Sequence, residues 1–504
     1  MMQADRFSKY ILVLFMIISA ALGLLRFNSL QLGASYDDAH YIILAESLSS
    51  GEGYELINFP RPQIERAFPP GWPILLAPLT SVFPGNYRVL KVYTLIIWLI
   101  SLLLIYKLFM KKVESPYLEI IFGLLALNPL LVGMSVTVMS ESSYLLFSLI
   151  TLVLFDSQND RPNYWLVILI ALAALFTQLI RTIGISIFLA LFLYLLFSRR
   201  IKESAITFGV FSFGALFQFW LNLRNGGSVI SAGYESQVFN GSILEKIGQM
   251  WANLLGYLNE TIAGGLIPVF GERVTYFLGS AIPWMANTGV LLLVILGVLI
   301  SWKRVKLFDV YALIYLVAIL AFWNPKVGSV KARFLIPMIP FLYFYLIGGM
   351  KWIFERVTKN HLITARLVFG VAVTVTLSLV ARNIQDWLNP VSLQMTDLSI
   401  GTDWIAENAP KDAIVMVNEP VPAYVQAHRK TVGYPRDLQN IENYVVNQGI
   451  DYIVISPLLQ TPRSTILDEG VEKQLLPILN SAPGKYTVVY RSGEHNVTVY
   501  RVVN

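Results

Sequence analysis

Residues 11–27, ILVLFMIISAALGLLRF, decide the class of fold, because they form an apolar stretch close to the ~20 residues that cross a bilayer. The stretch follows Arg6 and Lys9, and no small-residue cleavage site comes after it, so it predicts a retained first membrane-spanning helix. In the 504-residue chain 55% of residues are hydrophobic and 14% are charged, whereas a soluble chain has ~25% charged residues. This composition excludes a disordered, collagen-like or cytosolic chain and predicts a polytopic helical membrane protein.

Further apolar runs predict an all-α membrane domain with about eleven spanning helices. The runs at 142–155 and 183–197 are short for a span, so they also fit re-entrant segments. The runs after the first lie at 91–109, 117–138, 142–155, 163–180, 183–197, 204–222, 284–301, 307–323, 334–350 and 363–380.

The connections between alternate spans are rich in Lys and Arg, as cytoplasmic loops are. This pattern predicts a cytoplasmic N-terminus and an extracytoplasmic C-terminus. The membrane is expected to be the plasma membrane of a prokaryote. The formal net charge of +6 reflects the same bias, and no basic patch interleaved with aromatics points to a nucleic acid partner. The basic connections lie at 1–10, 107–116, 156–162, 198–203, 302–306 and 351–362.

Three long extracytoplasmic segments remain: a first loop at 28–90, a second at 223–283 and a C-terminal domain at 381–504, with 1–380 as the membrane domain. Alternating helices and β-branched strands predict a small soluble α/β fold for the C-terminal domain. Its predicted helices lie at 400–408, 437–447 and 463–479, and its strands at 413–417, 452–456, 486–491 and 496–503. The absence of Cys excludes thiolate chemistry, and four scattered His make a His metal cluster a poor expectation.

The first loop carries the most informative motif, the acidic pair in Tyr36-Asp37-Asp38-Ala39-His40-Tyr41. It opens a predicted helix that ends at Gly51–Tyr54, and either carboxylate could cap that helix or lie in its first turn. Tyr41, Leu44, Ala45 and Leu48 repeat at helical spacing, which predicts a helix lying on the membrane surface. A plain capped interfacial helix is the alternative interpretation of the pair.

The same loop continues with a proline-rich segment, Phe68–Pro73, before the short apolar run Ile74–Leu79. Together the two pieces resemble the glycosyltransferase-C (GT-C) superfamily of membrane enzymes that use polyprenyl-phosphate sugars. The protein mannosyltransferase and lipid A aminoarabinose transferase branches show a similar acidic pair, Gly-x-Gly-Tyr-like turn and Pro-Pro segment. The resemblance extends to the stretches Met139–Ser142, Arg181–Gly184, Lys331–Pro337 and Trp404–Pro410. Two departures are Asp38, where Glu is frequent, and the lack of an Asp-x-Asp motif near the first loop.

The resemblance implies transfer of a sugar from a polyprenyl-phosphate donor to a hydroxyl of a protein, lipid or glycan acceptor. Asp37 would be the general base, with Asp38 as its acidic neighbour, and one base with in-line displacement predicts inversion at the anomeric carbon. Asp38 could equally act only as a helix cap.

Basic side chains at the predicted outer membrane edges are candidates for phosphate binding, because guanidinium groups bind phosphate oxygens in pairs. Snorkelling to the head groups is the alternative for each of them. Glu141 could orient substrate, help to bind a divalent metal or cap its helix, so metal dependence stays open. Tyr41 and Trp72 are candidates to contact substrate. The basic candidates are Arg181, Arg224, Lys331 and Arg333.

Two other functional classes fit a chain of this composition. A transporter or flippase for lipid-linked sugars would show internal repeats and charges at mid-membrane, whereas the candidates here gather at one membrane face. A non-catalytic scaffold would use the C-terminal domain for binding and would be indifferent to Asp37.

Overall fold

The computed structural model describes residues 2–28, 32–158, 163–224, 242–258, 262–267, 281–323, 332–390, 396–457 and 467–503. This part of the chain is mostly helical, and a helix stands at every predicted membrane-spanning run. The helices before the C-terminal domain are α1 (Met2–Leu25), α2 (Asp37–Ser50), α3 (Gly71–Val82), α4 (Arg88–Phe109), α5 (Tyr117–Leu127), α6 (Pro129–Met134), α7 (Ser140–Asp156), α8 (Tyr164–Ile180), α9 (Ile185–Phe197), α10 (Ile201–Arg224), α11 (Ile243–Gly256), α12 (Ile262–Leu266), α13 (Ala281–Ser301), α14 (Leu307–Phe322), α15 (Ile339–Thr358) and α16 (His361–Leu388). Short 3-10 helices lie at Thr182–Gly184, Trp302–Arg304 and Ala332–Met338.

Some of these helices are long and apolar enough to cross a membrane. Within the described residues these are Ser8–Leu25, Arg88–Phe109, Met285–Arg304, Ala332–Thr358 and His361–Leu388. Shorter apolar helices are Gly71–Val82, Tyr117–Leu127, Tyr164–Ile180, Thr182–Phe197 and Leu307–Phe322. The predicted number of crossings and their direction stay predictions.

The run at 117–138 is not one helix, because it breaks at Asn128 between α5 and α6. Pro129 cannot donate a helical hydrogen bond, so a new helix starts there. The Asn128 side chain caps this helix by accepting the N–H groups of Leu130 and Leu131. Its amide also donates to the Gly265 carbonyl at 2.8 Å, so the break ties the chain to a distant segment.

The closest helix contact is that between α13 and α15, where glycines let the two backbones touch. A side chain at Gly349 would come within 2.1 Å of the Leu293 carbonyl oxygen, and one at Gly297 within 1.9 Å of the Tyr345 carbonyl oxygen. Small residues at such crossings allow helices to pack through backbone contact in a membrane.

Helix α2 does not lie on the membrane surface by one apolar face, and this prediction is wrong. The helix is buried along most of its length, including Ala39, Ile42 and Ala45. It packs against α3 and against the C-terminal domain, so protein covers the face assigned to lipid. Its apolar residues are therefore part of the core.

The C-terminal domain is a small α/β fold, as expected. Two short antiparallel strands, β1 (Glu55–Leu56) and β2 (Gln63–Ile64), lie in the first loop. The strands of the C-terminal domain, β3 to β7, form one sheet in the order β4-β3-β5-β7-β6, with β3 parallel to β4 and β5, and β7 antiparallel to β5 and β6. Helix α16 continues beyond residue 380 to Leu388. The elements are α17 (Thr396–Asn408), β3 (Ile414–Met416), α18 (Pro420–Ala427), β4 (Lys430–Val432), α19 (Ile441–Gln448), β5 (Tyr452–Ile455), α20 (Leu476–Ser481), β6 (Tyr486–Ser492) and β7 (Val497–Val502).

Helix α18 and strand β4 were not predicted from the sequence. Pro420 and Pro422 suggest a turn, yet they lie in the first turn of a helix, where proline is tolerated. Part of the helix predicted at 463–479 falls on residues 463–466, which lie outside the described residues.

Helix α18 joins the C-terminal domain to the first loop. Its Val421 and Val425 belong to the same apolar core as α2. The Thr431 N–H donates to the Asn58 carbonyl at 2.7 Å. Gly33, with φ of +89°, lies against Pro422, and a side chain at Gly33 would come within 2.9 Å of the Pro422 Cβ. The domain is thus seated directly on the loop that carries the acidic pair.

Candidate functional site

An ion pair stands at the head of α2. Arg333 Nη2 lies 3.0 Å from Asp37 Oδ2, although the two residues are far apart in sequence. Both side chains reach solvent, with 26% of Arg333 and 29% of Asp37 exposed. Asp37 lies in the first turn of α2, where the helix dipole favours a negative charge. The pair is accessible to a substrate and holds opposite charges side by side.

Glu141 extends this pair into the interior. Its carboxylate is buried in the first turn of α7, and its Oε1 lies 2.6 Å from Arg181 Nη1. The same oxygen lies 3.9 Å from Arg333 Nε, so one carboxylate serves two guanidinium groups. The Phe334 ring contacts both arginines, with its centroid 5.2 Å from Arg333 Cζ and 6.0 Å from Arg181 Cζ. The result is a compact cluster of Asp37, Glu141, Arg181 and Arg333, which we call the ion cluster.

Two glycines place Arg181 in this cluster. A side chain at Gly71 would come within 2.6 Å of the Leu179 carbonyl carbon, and one at Gly184 within 2.4 Å of the Gln178 nitrogen. Both close approaches press on the last turn of α8, directly before Arg181. The Gly of the Arg-x-x-Gly stretch is thus required by packing, because no side chain fits there without moving the backbone.

Arg333 is held by the turn that precedes α15. It lies in the 3-10 helix Ala332–Met338, whose Phe334 carbonyl accepts the Tyr315 hydroxyl at 2.8 Å. Buried tyrosines of the bundle form a further polar contact: the Tyr311 hydroxyl donates to the Tyr144 hydroxyl at 3.0 Å.

The Asp38 carboxylate is hydrogen-bonded within the turn before α2 rather than to an arginine of the ion cluster, and its predicted catalytic role stays a prediction. Asp38 is buried, and its Oδ2 accepts the Gly33 N–H at 2.8 Å. Burial raises the pKa of Asp38 from 3.8 to about 6, because desolvation penalises the charged form. Asp38 fixes the turn before α2. In that turn Tyr36 has φ of 62°, in the left-handed region that costs energy for a residue with a side chain.

The two aromatic candidates are also internal. Trp72 is fully buried, donates its indole N–H to the Val138 carbonyl at 3.1 Å and stacks on Tyr93. Trp72 is thus buried in the described structure, and its contact with substrate stays a prediction. Tyr41 is buried too, and its hydroxyl lies 3.0 Å from Ser140 Oγ. Tyr41 thus makes a buried contact with Ser140, the residue next to Glu141.

Sequence reasoning missed the part played by Ser140. Its hydroxyl accepts an N–H of Arg181 at 3.1 Å and meets Tyr41 at 3.0 Å, so it links helix α2 to the ion cluster. Its position beside Glu141 was the available signal. Lys331 and the side chain of Arg224 lie outside the described residues.

The ion cluster does not fit a divalent cation. Among the residues that the structure describes, no three His, Asp or Glu side chains come together as a metal site. Asp37 and Glu141 both face guanidinium groups, and a metal ion would have to displace these cations. The donor set suits an anion better, since arginine binds phosphate through paired N–H groups.

An apolar cavity of about 270 Å³ lies elsewhere in the bundle, between α5, α13, α15 and α16. Its lining includes Leu124, Val290, Tyr343, Leu346 and Val371 and none of the four ion-cluster residues. We assign no part of the chemistry to it.

Comparison with solved structures identifies the fold. Oligosaccharyltransferase from Archaeoglobus fulgidus, in complex with Zn and sulfate, superposes with a TM-score of 0.59 at 15% identity, over 98% of this chain and 73% of that chain. The same enzyme tethered to an acceptor peptide containing the NVT sequon gives 0.57 at 13% identity, over 99% and 75%. ArnT from Cupriavidus metallidurans, bound to undecaprenyl phosphate, gives 0.57 at 13% identity, over 97% and 98%.

No family model and no curated protein matches the sequence. The structural likeness nevertheless confirms the resemblance seen in the sequence at the level of the fold, because these solved structures are GT-C glycosyltransferases. The chain is an integral membrane protein with the GT-C fold.

Proposed function

We propose that this protein is a membrane glycosyltransferase that moves a sugar from a polyprenyl-phosphate carrier to a hydroxyl group of an acceptor, on the extracytoplasmic face. The observation that carries the proposal is the accessible Asp37–Arg333 pair, which puts a base and a phosphate-binding cation side by side. The solved structure of ArnT with undecaprenyl phosphate supports a lipid-phosphate donor for this fold.

Asp37 is the proposed general base. Its carboxylate takes the proton of the acceptor hydroxyl as the oxygen attacks the anomeric carbon. The bond between that carbon and the phosphate oxygen breaks, and its electron pair leaves with the polyprenyl phosphate. Inversion requires that Arg333 leaves Asp37 and follows the phosphate to the opposite face of the sugar, so that base and leaving group lie on either side of the anomeric carbon.

Arg333 and Arg181 are the proposed partners of the departing phosphate. A cation placed where negative charge develops stabilises the transition state more than the ground state. Glu141 is a positioning residue, because its buried carboxylate holds Arg181 and lies near Arg333 without reaching solvent.

The Asp37–Arg333 pair describes a resting site in this proposal. When the donor phosphate draws the guanidinium toward itself, the Asp37 carboxylate loses its ion-pair partner and is free to accept a hydrogen bond from the acceptor hydroxyl. Binding of the donor thereby makes the base available, whereas in the empty site Asp37 stays paired with Arg333.

The lipid-linked sugars of cells that express the protein test the function. Loss of the protein should cause one polyprenyl-phosphate sugar to accumulate, as measured by mass spectrometry of extracted lipids. Wild-type protein should reverse this, whereas Asp37→Asn made at equal level should not. A scaffold or a flippase would work equally well with Asn, so full rescue by the variant would overturn the proposal. A product with retained anomeric configuration would overturn the inverting mechanism.

A further inference from the structure

Helix α11 (Ile243–Gly256) has two sharply different faces. Its apolar side chains lie on one side of the helix, and four of them are strongly exposed: Ile243 at 81%, Leu244 at 79%, Ile247 at 57% and Trp251 at 60%. The opposite side carries Glu245, Lys246, Gln249 and Asn253. An apolar stripe of this width on a surface helix needs a partner that removes it from water.

A capping box forms the start of this helix and defines its first residue. Ser242 accepts the Glu245 N–H at 3.3 Å, and the Glu245 carboxylate accepts the Ser242 N–H at 2.8 Å. At the other end Tyr257 turns into the core and is buried.

The Asn253 side chain attaches this helix to the rest of the bundle. Its side-chain amide donates to the carbonyls of Leu320 and Trp323, at 2.8 and 2.7 Å. These carbonyls belong to the last turn of α14 and its C-cap, which lack partners within the helix. Helix α11 is therefore attached where an apolar helix of the bundle ends.

This end of α14 lies on the same side of the bundle as the ion cluster. The Trp323 ring is 5.1 Å from that of Phe334, which contacts Arg333. Exposed apolar residues of α14, including Val317 and Phe322, continue down the bundle from this level. Helix α11 thus lies beside the end of an apolar helix, at the level of the ion cluster, with its own apolar face exposed.

We propose that α11 lies in the plane of the membrane, with its apolar face in the boundary between head groups and acyl chains of the leaflet beside the ion cluster. The partner is the phospholipid bilayer, because the exposed apolar face lies beside the end of α14, an apolar helix with exposed apolar residues of its own, and carries Trp251, a residue type that favours the membrane interface. This part of the segment 223–283, predicted as the second large outer loop, is a membrane-bound helix.

The cysteine-free chain allows a direct test, because a single introduced cysteine gives one labelling site. Ile247→Cys lies on the apolar face, and Ala252→Cys is its matched control, since Ala252 is exposed on the opposite side of the helix. The full-length variants are labelled with an environment-sensitive fluorophore and reconstituted in vesicles of phosphatidylethanolamine and phosphatidylglycerol. Quenching by nitroxide-labelled phospholipid and by aqueous iodide is then compared.

The label at position 247 should be quenched several-fold more by the lipid nitroxide than the label at 252, with the order reversed for iodide. Leu244→Cys should repeat the result if Ile247→Cys disturbs the fold. Equal iodide quenching at 247 and 252 would overturn the proposal. Protection from iodide at 247 without lipid quenching would overturn it as well, because protein would then cover the face.

Discussion

Replacement of Asp37 by Asn should separate donor binding from turnover. The carboxylate competes with the donor phosphate for Arg333, whose Nη2 is 3.0 Å away. A pair this exposed is worth up to ~1 kcal/mol, so its removal should tighten undecaprenyl phosphate binding about fivefold. Turnover should fall by about 10²- to 10⁴-fold, because a general base contributes that much. The variant should therefore bind undecaprenyl phosphate more tightly and turn over more slowly than the wild type.

The fold should survive this change. Asn is as good as Asp at a helix start, and loss of the charge near the helix dipole costs only ~0.3–1 kcal/mol. Glu141 still lies 3.9 Å from Arg333 Nε, so the guanidinium keeps one neighbouring carboxylate.

Binding is measured with purified full-length protein and undecaprenyl phosphate, by native mass spectrometry or by tryptophan fluorescence. Glu52→Gln is the matched control, because Glu52 is an exposed carboxylate of the same loop that touches no member of the ion cluster. Weaker binding by Asp37→Asn, with Glu52→Gln unchanged, would refute the competition between carboxylate and phosphate. Retained turnover would refute the base.

Three further changes probe the surroundings of the site. Glu141→Gln removes the buried partner of two guanidinium groups and should lower the free energy of unfolding by about 3 kcal/mol, measured by chemical denaturation in detergent. Asp38→Asn should remove a pH dependence: the folded protein binds the Asp38 proton more tightly than the unfolded chain, so stability falls by roughly 3 kcal/mol as the pH rises from about 4 to about 6 in the wild type and not in the variant, measured as thermal midpoints across this range. Gly349→Ala should cost about 1–3 kcal/mol, because its Cβ would come within 2.1 Å of the Leu293 carbonyl oxygen, whereas Gly348→Ala, with open space around its Cβ, should change the thermal midpoint little.

One result would contradict each of these three predictions. A neutral Glu141→Gln would mean that the arginines do not depend on this carboxylate. Parallel pH profiles for the wild type and Asp38→Asn would assign the titration to another group. Equal effects of the two neighbouring glycine changes would remove the close α13–α15 crossing as their cause.

The sequence pattern predicted the positions of the helices, because a long apolar run is recognisable without knowledge of tertiary contacts. The pattern failed at prolines, whose helix breaks and helix starts were not recognised, and where tertiary contacts reverse a local signal. The run at 117–138 breaks at Pro129, and the prolines of α18 start a helix that their residue type alone did not predict. Helix α2 has the spacing of a surface helix, yet α3 and α18 cover it from both sides.

The candidate residues were found unevenly for the same reason. Residue type and position marked Asp37, Glu141, Arg181 and Arg333, since charges at a membrane edge are few. The distribution of roles among them depends on distance. Asp38 differs from Asp37 only by one helical step, and that step turns its carboxylate from solvent to the Gly33 N–H.

The sequence by itself determined a helical membrane protein with a C-terminal α/β region, because hydrophobic length and residue alternation act locally and need no knowledge of contacts. Only the tertiary structure decided which charges meet. Asp37 and Arg333, which are far apart in the sequence, form an ion pair, and Trp72 is buried in the core. Such pairings arise from the packing of helices, whose glycine contacts and crossing points no run of residues encodes on its own.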